Sequence, residues 1–221
     1  MADNIIQTED GSYTIVSSVY GETYHSIYGA KTESMKIFIE YGLDFFQKNN
    51  DSHCIKIFEV GFGSGLNAFL TYRVADKNLN IEYNTIELYP IEEKVYCAIS
   101  DVMHNADDKV IFKNIHNARW DALVRISENF SIRKIKESLL DFVMPCGIDV
   151  VYFDAFSPNV QPELWTTDIF KRIFDHMNNG GVLTTYCAKG QVRRNLKEAG
   201  FYVERLEGPP HKREVLRAAK L

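Results

Sequence analysis

The 221-residue sequence contains no apolar run long enough to cross a bilayer as a helix, a task that takes about twenty residues. Its first ten residues, Met1 to Asp10, have neither the basic start nor the apolar middle of a signal peptide. The expectation is a protein that stays in the cytoplasm, with no membrane partner. Cysteine is sparse. The four present, Cys54, Cys97, Cys146 and Cys187, form no C-x-x-C pair and have no histidine at zinc-finger spacing. They are expected to be buried, reduced thiols, with no structural metal. There are no internal repeats, no low-complexity tract and no obvious linker. An excess of positive charge is also missing: 25 Lys and Arg stand against 30 Asp and Glu, a net −5 that argues against indiscriminate coating of nucleic acid.

The chain does have the means to fill a core, with 45% apolar and 13% aromatic residues. Its length suits one large α/β domain, with residues 1–50 as an N-terminal segment and helix packed on a Rossmann-like region, 51–221. The charge is uneven. Lys189–Leu221 holds nine basic and four acidic residues, so this stretch carries +5 and the first 188 residues carry −10. A local basic face and a solvated helix face or strand edge both account for that count.

Apolar runs alternate with amphipathic segments, the pattern of βα units. Strands are expected at 55–60, 80–87, 110–115, 149–154 and 182–187, with a closing antiparallel pair at 201–206 and 214–219. Helices are expected over 35–46, over 191–199, and after Thr166 as N-cap with Gly180 as the stop. Residues 119–140 read as a longer helical stretch or an insertion. The fold class expected is a mostly parallel, seven-stranded, doubly wound sheet with helices on both faces and a C-terminal antiparallel strand. Ligands bind such sheets at the carboxyl ends of strands, which is where chemistry should be sought.

Glu59-Val60-Gly61-Phe62-Gly63-Ser64-Gly65 follows one expected strand and opens a helix. Glycines there permit a tight turn and close backbone approach to a ligand. The G-x-G-x-G form after an acid resembles the first motif of class I methyltransferases. Glu87, ending the next strand, can accept two hydrogen bonds from a ribose diol. Glu59 beside the loop suits a cationic amino-acid moiety better than a phosphate, or serves as a structural acid. Asn117, after the expected third strand, takes the place where that class often has an acid facing adenine. Asp154 ends the 149–154 strand, where a carboxylate can orient an amine and take its proton while the two reactants are held in line.

Asp154-Ala155-Phe156-Ser157-Pro158 with Pro162-Glu163-Leu164-Trp165 resembles one family, the MnmC-like tRNA 5-methylaminomethyl-2-thiouridine methyltransferases. Tyr24-His25-Ser26, Gly29-Ala30 and Glu33-Ser34 are similar to its N-terminal signature, and Glu59 to Asn67 to its glycine loop. Gly180–Tyr186, Val192-Arg193-Arg194, Leu196 and Ala199-Gly200-Phe201 resemble its final strand–helix unit, and Lys212-Arg213-Glu214 the segment after that unit. The resemblance implies S-adenosyl-L-methionine as cofactor and methyl transfer to the primary amine of 5-aminomethyl-(2-thio)uridine at the tRNA wobble position. It implies Asp154 as the catalytic residue, and Glu59, Gly61, Gly63, Gly65, Asn67, Glu87, Asn117 and Tyr24 around the cofactor. Phe156, Ser157, Pro158, Trp165 and Tyr186 are then expected at the base, with aromatic rings stacking on it. Lys189, Arg193, Arg194, Lys212 and Arg213 are expected on phosphates of the anticodon region. Relatives often carry a fused flavin-dependent oxidase domain. With the chain ending at Leu221, that domain is expected to be absent and the amine to come from another enzyme. The residues alone also admit a methyltransferase for a small amine or other nucleophile, a non-catalytic nucleoside-binding accessory protein, or a dehydrogenase.

Overall fold

The structure, a computed structural model, describes residues 4–221; the first three residues of the expected N-terminal segment lie outside them. Its centre is an eight-stranded sheet in the order β5-β6-β4-β3-β7-β8-β10-β9. The strands are β3 (Cys54–Val60), β4 (Asn80–Ile86), β5 (Leu123–Ser127), β6 (Phe130–Ile135), β7 (Ile148–Phe153), β8 (Met177–Thr185), β9 (Tyr202–Glu207) and β10 (Glu214–Ala219). β6, β4, β3, β7 and β8 run parallel, while β10 is antiparallel to both β8 and β9, and β5 to β6. A separate antiparallel pair, β1 (Asn4–Gln7) and β2 (Tyr13–Val16), precedes the sheet.

Side-chain alternation explains why β3 and β7 hold the centre. Ile55 and Ile57 of β3 and Val150 and Tyr152 of β7 enter one core, while Phe58, Val60, Val151 and Phe153 enter a second core on the opposite face. Strands buried on both faces read as nearly continuous apolar runs. On the first face lies one continuous helix over residues 30–49, with α1 (Ala30–Ser34) and α2 (Phe45–Asn49) flanking a π-helical stretch, Met35–Asp44. It presses on the sheet at Gly42, where a Cβ would lie 3.2 Å from the Tyr152 ring. The same core takes in residues of α3 (Leu66–Val74), α4 (Glu93–Val102) and α5 (Ala106–Asn117). The second core draws on α6 (Thr167–His176) and α7 (Gly190–Glu198).

The sheet has eight strands rather than seven, and several other expectations are corrected. Residues 110–115 lie inside α5, not in a strand. Asn105 caps that helix by accepting from the Asp108 N–H at 3.0 Å, and Phe112, Ile115 and His116 are its buried side. The third parallel strand is instead β6, and β5 and β6 form a hairpin where a helix was expected. Thr166 does cap α6, accepting from the Ile169 N–H, but that helix stops at His176 and Gly180 already sits in β8. The cysteines are all free; Cys187 is buried and Cys97 half-buried, but Cys54 and Cys146 are exposed. Among the described residues no helix is long and apolar enough to cross a membrane.

Candidate active site

Chain order reverses between β3 and β7: successive strands run outward to β4 and β6 on one side, then to β8 on the other. A topological switch point leaves a crevice at the strand tips. Here the crevice is a cavity of about 670 Å³, within the usual size of small-ligand sites. Its walls come from the loop after β3, the tips of β4, β6 and β7, the segment Tyr20–Tyr28, and the turn before β10.

Two glycines let these parts meet. At Gly61 (φ 90°) a Cβ would stand 2.7 Å from the backbone oxygen of Asp154, so the tips of β3 and β7 approach only because residue 61 has no side chain. At Gly63 (φ 49°) a Cβ would stand 2.7 Å from Cδ1 of Tyr24. The Gly63 N–H donates to Oε2 of Glu87 at 3.1 Å, and the Tyr89 N–H donates to Oε1 at 2.9 Å. Burial pushes the Glu87 carboxyl up, and those two N–H groups oppose the shift. Gly65 is the left-handed residue before α3.

Asp154 follows β7, and its N–H donates to the Val60 oxygen at 3.0 Å. Its Oδ2 accepts from Nδ2 of Asn67 at 2.8 Å. Burial pushes this carboxyl well above the usual carboxylate range; Glu33 adds to the rise and Asn67 opposes it. A carboxylate with a raised pKa is the stronger proton acceptor. Nε2 of His25 lies 3.9 Å from Oδ2, but burial lowers the imidazole to about 4. His25 is therefore a neutral neighbour at pH 7 rather than an ion-pair partner.

The structure brings Tyr24, Gly61, Gly63, Glu87, Asp154, Phe156, Ser157, Tyr186 and Lys212 to this cavity. Asn67 is buried behind the wall and reaches Asp154 from there. Glu59 is fully buried in β3 and off the wall, close to Thr85, Asn67 and Tyr83; burial raises it to about 8. Asn117 ends α5, exposed, and accepts from the Tyr96 hydroxyl at 2.9 Å, away from the cavity. Its expected position rested on the misread strand. Glu137 and Ser138, beyond the tip of β6, line the cavity instead. Pro158 is off the wall as well.

Trp165 is a core residue, 3% exposed, with Nε1 donating to the Phe156 oxygen at 2.8 Å and its ring 4.8 Å from that of Phe153. It has no face left for a base. Tyr186 is half-buried and its hydroxyl donates to the Ala155 oxygen at 2.9 Å. Lys189, Arg194 and Arg213 are exposed and Arg193 half-buried; Lys189, Arg193 and Arg194 lie at the start of α7. Lys212 turns inward and pairs with Glu33 on the cavity wall, rather than standing free on the surface.

Sequence reasoning missed Tyr20, Glu22 and Gln161. Gln161 accepts from the Phe156 N–H at 3.1 Å and donates to the Tyr20 hydroxyl at 2.8 Å, while Ser157 donates to Glu22 at 2.9 Å. Tyr20 and Phe156 rings meet at 4.5 Å, Tyr24 and Phe156 at 5.0 Å. These contacts tie the Tyr20–Tyr28 segment over the loop after β7. No short motif marks them, because the partners are 135 and 141 residues apart.

S-adenosyl-L-methionine suits these residues. The Gly61–Gly63 backbone leaves a cradle that side chains would fill, and Glu87 presents a carboxylate beside it. Among the described residues the wall holds six carboxylates, of Glu22, Glu33, Glu87, Glu137, Asp154 and Glu163, and a single lysine, Lys212. Such a wall favours a sulfonium bearing an ammonium and disfavours a pyrophosphate.

The profile of a family described as S-adenosyl-L-methionine-dependent methyltransferase matches residues 121–221. The tRNA 5-methylaminomethyl-2-thiouridine biosynthesis bifunctional protein MnmC of Nitrosospira multiformis is 29% identical over 216 residues, which cover 91% of this chain and 34% of that protein. The protein of the same name from Burkholderia thailandensis is 28% identical over 98% of this chain and 35% of its own length. The chain thus spans about a third of the length of these relatives. The crystal structure of MNMC2 from Aquifex aeolicus superposes with a TM-score of 0.82 at 26% identity, covering 99% of this chain and 70% of that one. A spermidine synthase from Thermotoga maritima, at TM-score 0.62 and 12% identity, shares the fold. With the glycine cradle and Asp154 at one switch point, the chain is an S-adenosyl-L-methionine-dependent methyltransferase of class I fold that is similar to MnmC proteins along most of its length.

Proposed function

We propose that the protein methylates the primary amine of 5-aminomethyl-(2-thio)uridine at the wobble position of tRNA. The observation that carries this reading is that Asp154 shares one cavity with Glu87 and the Gly61–Gly63 cradle. When bound, the cofactor supplies an electrophilic methyl group to a nitrogen lone pair. The protein's part is to bind, orient and deprotonate. Glu87 holds the ribose hydroxyls, the backbone at Gly61 and Gly63 receives the methionine end, and Glu137 and Ser138 face the adenine side.

An aliphatic amine arrives as an ammonium at neutral pH and must lose a proton before its lone pair is free. Asp154, with its pKa raised by burial, accepts that proton directly or through water, and Asn67 fixes its orientation. Holding amine and methyl in line supplies much of the remaining acceleration. Phe156, with Tyr20 and Tyr24 behind it, offers an aromatic platform for the splayed base. Lys189, Arg193, Arg194 and Arg213 fall to the phosphates, where they set register without reading sequence.

The test is mass analysis of wobble nucleosides after incubating tRNA bearing 5-aminomethyluridine with the protein and isotopically labelled S-adenosyl-L-methionine. The expected product is a wobble nucleoside heavier by one labelled methyl. No labelled nucleoside, with the cofactor bound, would sink the proposal.

A further inference from the structure

The lysine on the acidic wall has a position that the proposed reaction leaves unexplained. Lys212 lies in the turn between β9 and β10, and its Nζ donates to Oε1 of Glu33. The Glu33 side chain is only 7% exposed, and its other oxygen accepts from the Ser26 N–H at 2.9 Å. The same Nζ stands 4.4 Å over the centre of the Tyr186 ring, a cation–π arrangement typical of ammonium recognition. That ring is held by the bond from its hydroxyl to the Ala155 oxygen. The charge of Lys212 also reaches Asp154, where it opposes the rise of the carboxyl.

We infer that Glu33, Tyr186 and Asp154 form an alkylammonium subsite, filled by the side chain of Lys212 in the free protein and by the aminomethyl group of the substrate in the complex. This inference rests on the amine substrate proposed above. A lysine side chain ends in a primary ammonium on a methylene, and so does the aminomethyl group. The cage supplies an anion, an aromatic face and a neighbouring carboxylate. Two buried carboxylates without a cation would be costly, so the subsite needs an occupant at every stage. A lysine fixed there would repel an incoming ammonium. The Lys212 side chain is 31% exposed, so it can leave for solvent by rotating its own torsions, and the Pro209–Lys212 turn, closed by a 2.9 Å bond from the Lys212 N–H to the Pro209 oxygen, need not open. Lys212 then acts as a placeholder that only a cationic group displaces, which makes the site selective for the amine over a neutral substituent.

The experiment compares two anticodon stem-loops, one carrying 5-aminomethyluridine and one 5-methyluridine, by fluorescence-anisotropy titration of the full chain. The readout is the ratio of their two Kd values, which cancels phosphate contacts and general loss of folded protein. Lys212→Gln removes the internal competitor, and the preference for the amine is expected to rise about threefold or more; Glu33→Gln should lower it by about tenfold. A preference that is unchanged or reduced in Lys212→Gln overturns the placeholder role, because the Lys212 ammonium would then not compete with the substrate's. An unchanged preference in Glu33→Gln overturns the subsite itself. Failure of the wild-type protein to methylate aminomethyl tRNA would instead overturn the underlying reaction, so the two failures are distinguishable.

Discussion

The side-chain amide of Asn67 donates to Oδ2 of Asp154 across 2.8 Å, joining the first turn of α3 to the tip of β7. The two residues are 87 positions apart in sequence. The bond both aims the carboxylate and holds its pKa down against burial. In Asn67→Ala that restraint is lost, so the acid limb of the pH–rate profile should move to higher pH. The rate at neutral pH should fall by about tenfold or more from loss of orientation. A pH profile of single-turnover methyl transfer checks both; an acid limb that stays in place would contradict the link.

Gly63→Ala should weaken S-adenosyl-L-methionine binding by at least about tenfold. The left-handed backbone alone costs a residue with a side chain roughly 1–2 kcal/mol, and the new Cβ would meet the Tyr24 ring at 2.7 Å. Isothermal titration with the cofactor tests it. Native affinity in the variant would show that the Gly63–Tyr24 contact does not shape the cofactor site.

Trp165→Ala should destabilise the fold by about 3–5 kcal/mol, the usual cost of emptying a large aromatic from a core. The same change should leave the salt dependence of tRNA binding unaltered, because the indole is 3% exposed and bonded inward to Phe156. Denaturant unfolding and a salt titration separate the two roles. A stable variant with weakened binding would return Trp165 to the RNA surface.

The residues legible in the sequence were those fixed by local backbone demands. Gly61 and Gly63 must be glycine for steric reasons, Asp154 closes a strand that is apolar on both faces, and Thr166 caps its helix through a bond three residues away. Residues 106–117 failed because Val110, Ile111 and Phe112 are adjacent and apolar, which outweighed the helix-start signal of Asn105 with acids at 107 and 108. That error placed the expected adenine-facing residue at Asn117, whereas beyond the true third parallel strand it is Glu137 and Ser138 that line the cavity. Within 119–140 the alternation of buried Phe130, Ile132 and Lys134 is present, but a buried lysine masks it as polar. Lys134 survives there by donating to the His116 oxygen at the end of α5 and lying 4.7 Å over the Trp120 ring. Tyr20, Glu22 and Gln161 were illegible because only the tertiary fold makes them neighbours.

Glu59→Gln should flatten the pH dependence of stability. Burial raises this carboxyl from its ordinary 4.5 to about 8, so the folded state holds its proton more tightly than the unfolded chain does. Wild-type stability should therefore fall as pH rises from about 4.5 towards 8, by at most about 1.4 kcal/mol per pH unit from this group. Thermal unfolding of both proteins at about pH 5 and about pH 8 gives the comparison. The difference between wild type and variant should shrink or reverse sign in favour of the variant at the higher pH, and a constant difference would refute the assignment.

Asp154→Asn keeps the size of the side chain and an oxygen for the Asn67 amide, while removing the proton acceptor. The decisive measurement is S-adenosyl-L-methionine affinity and single-turnover methyl transfer to aminomethyl tRNA, taken on the same preparation. Transfer should slow by about 10²–10⁴-fold, with the cofactor Kd within about threefold of wild type. Transfer at the wild-type rate, with cofactor still bound, would contradict the account.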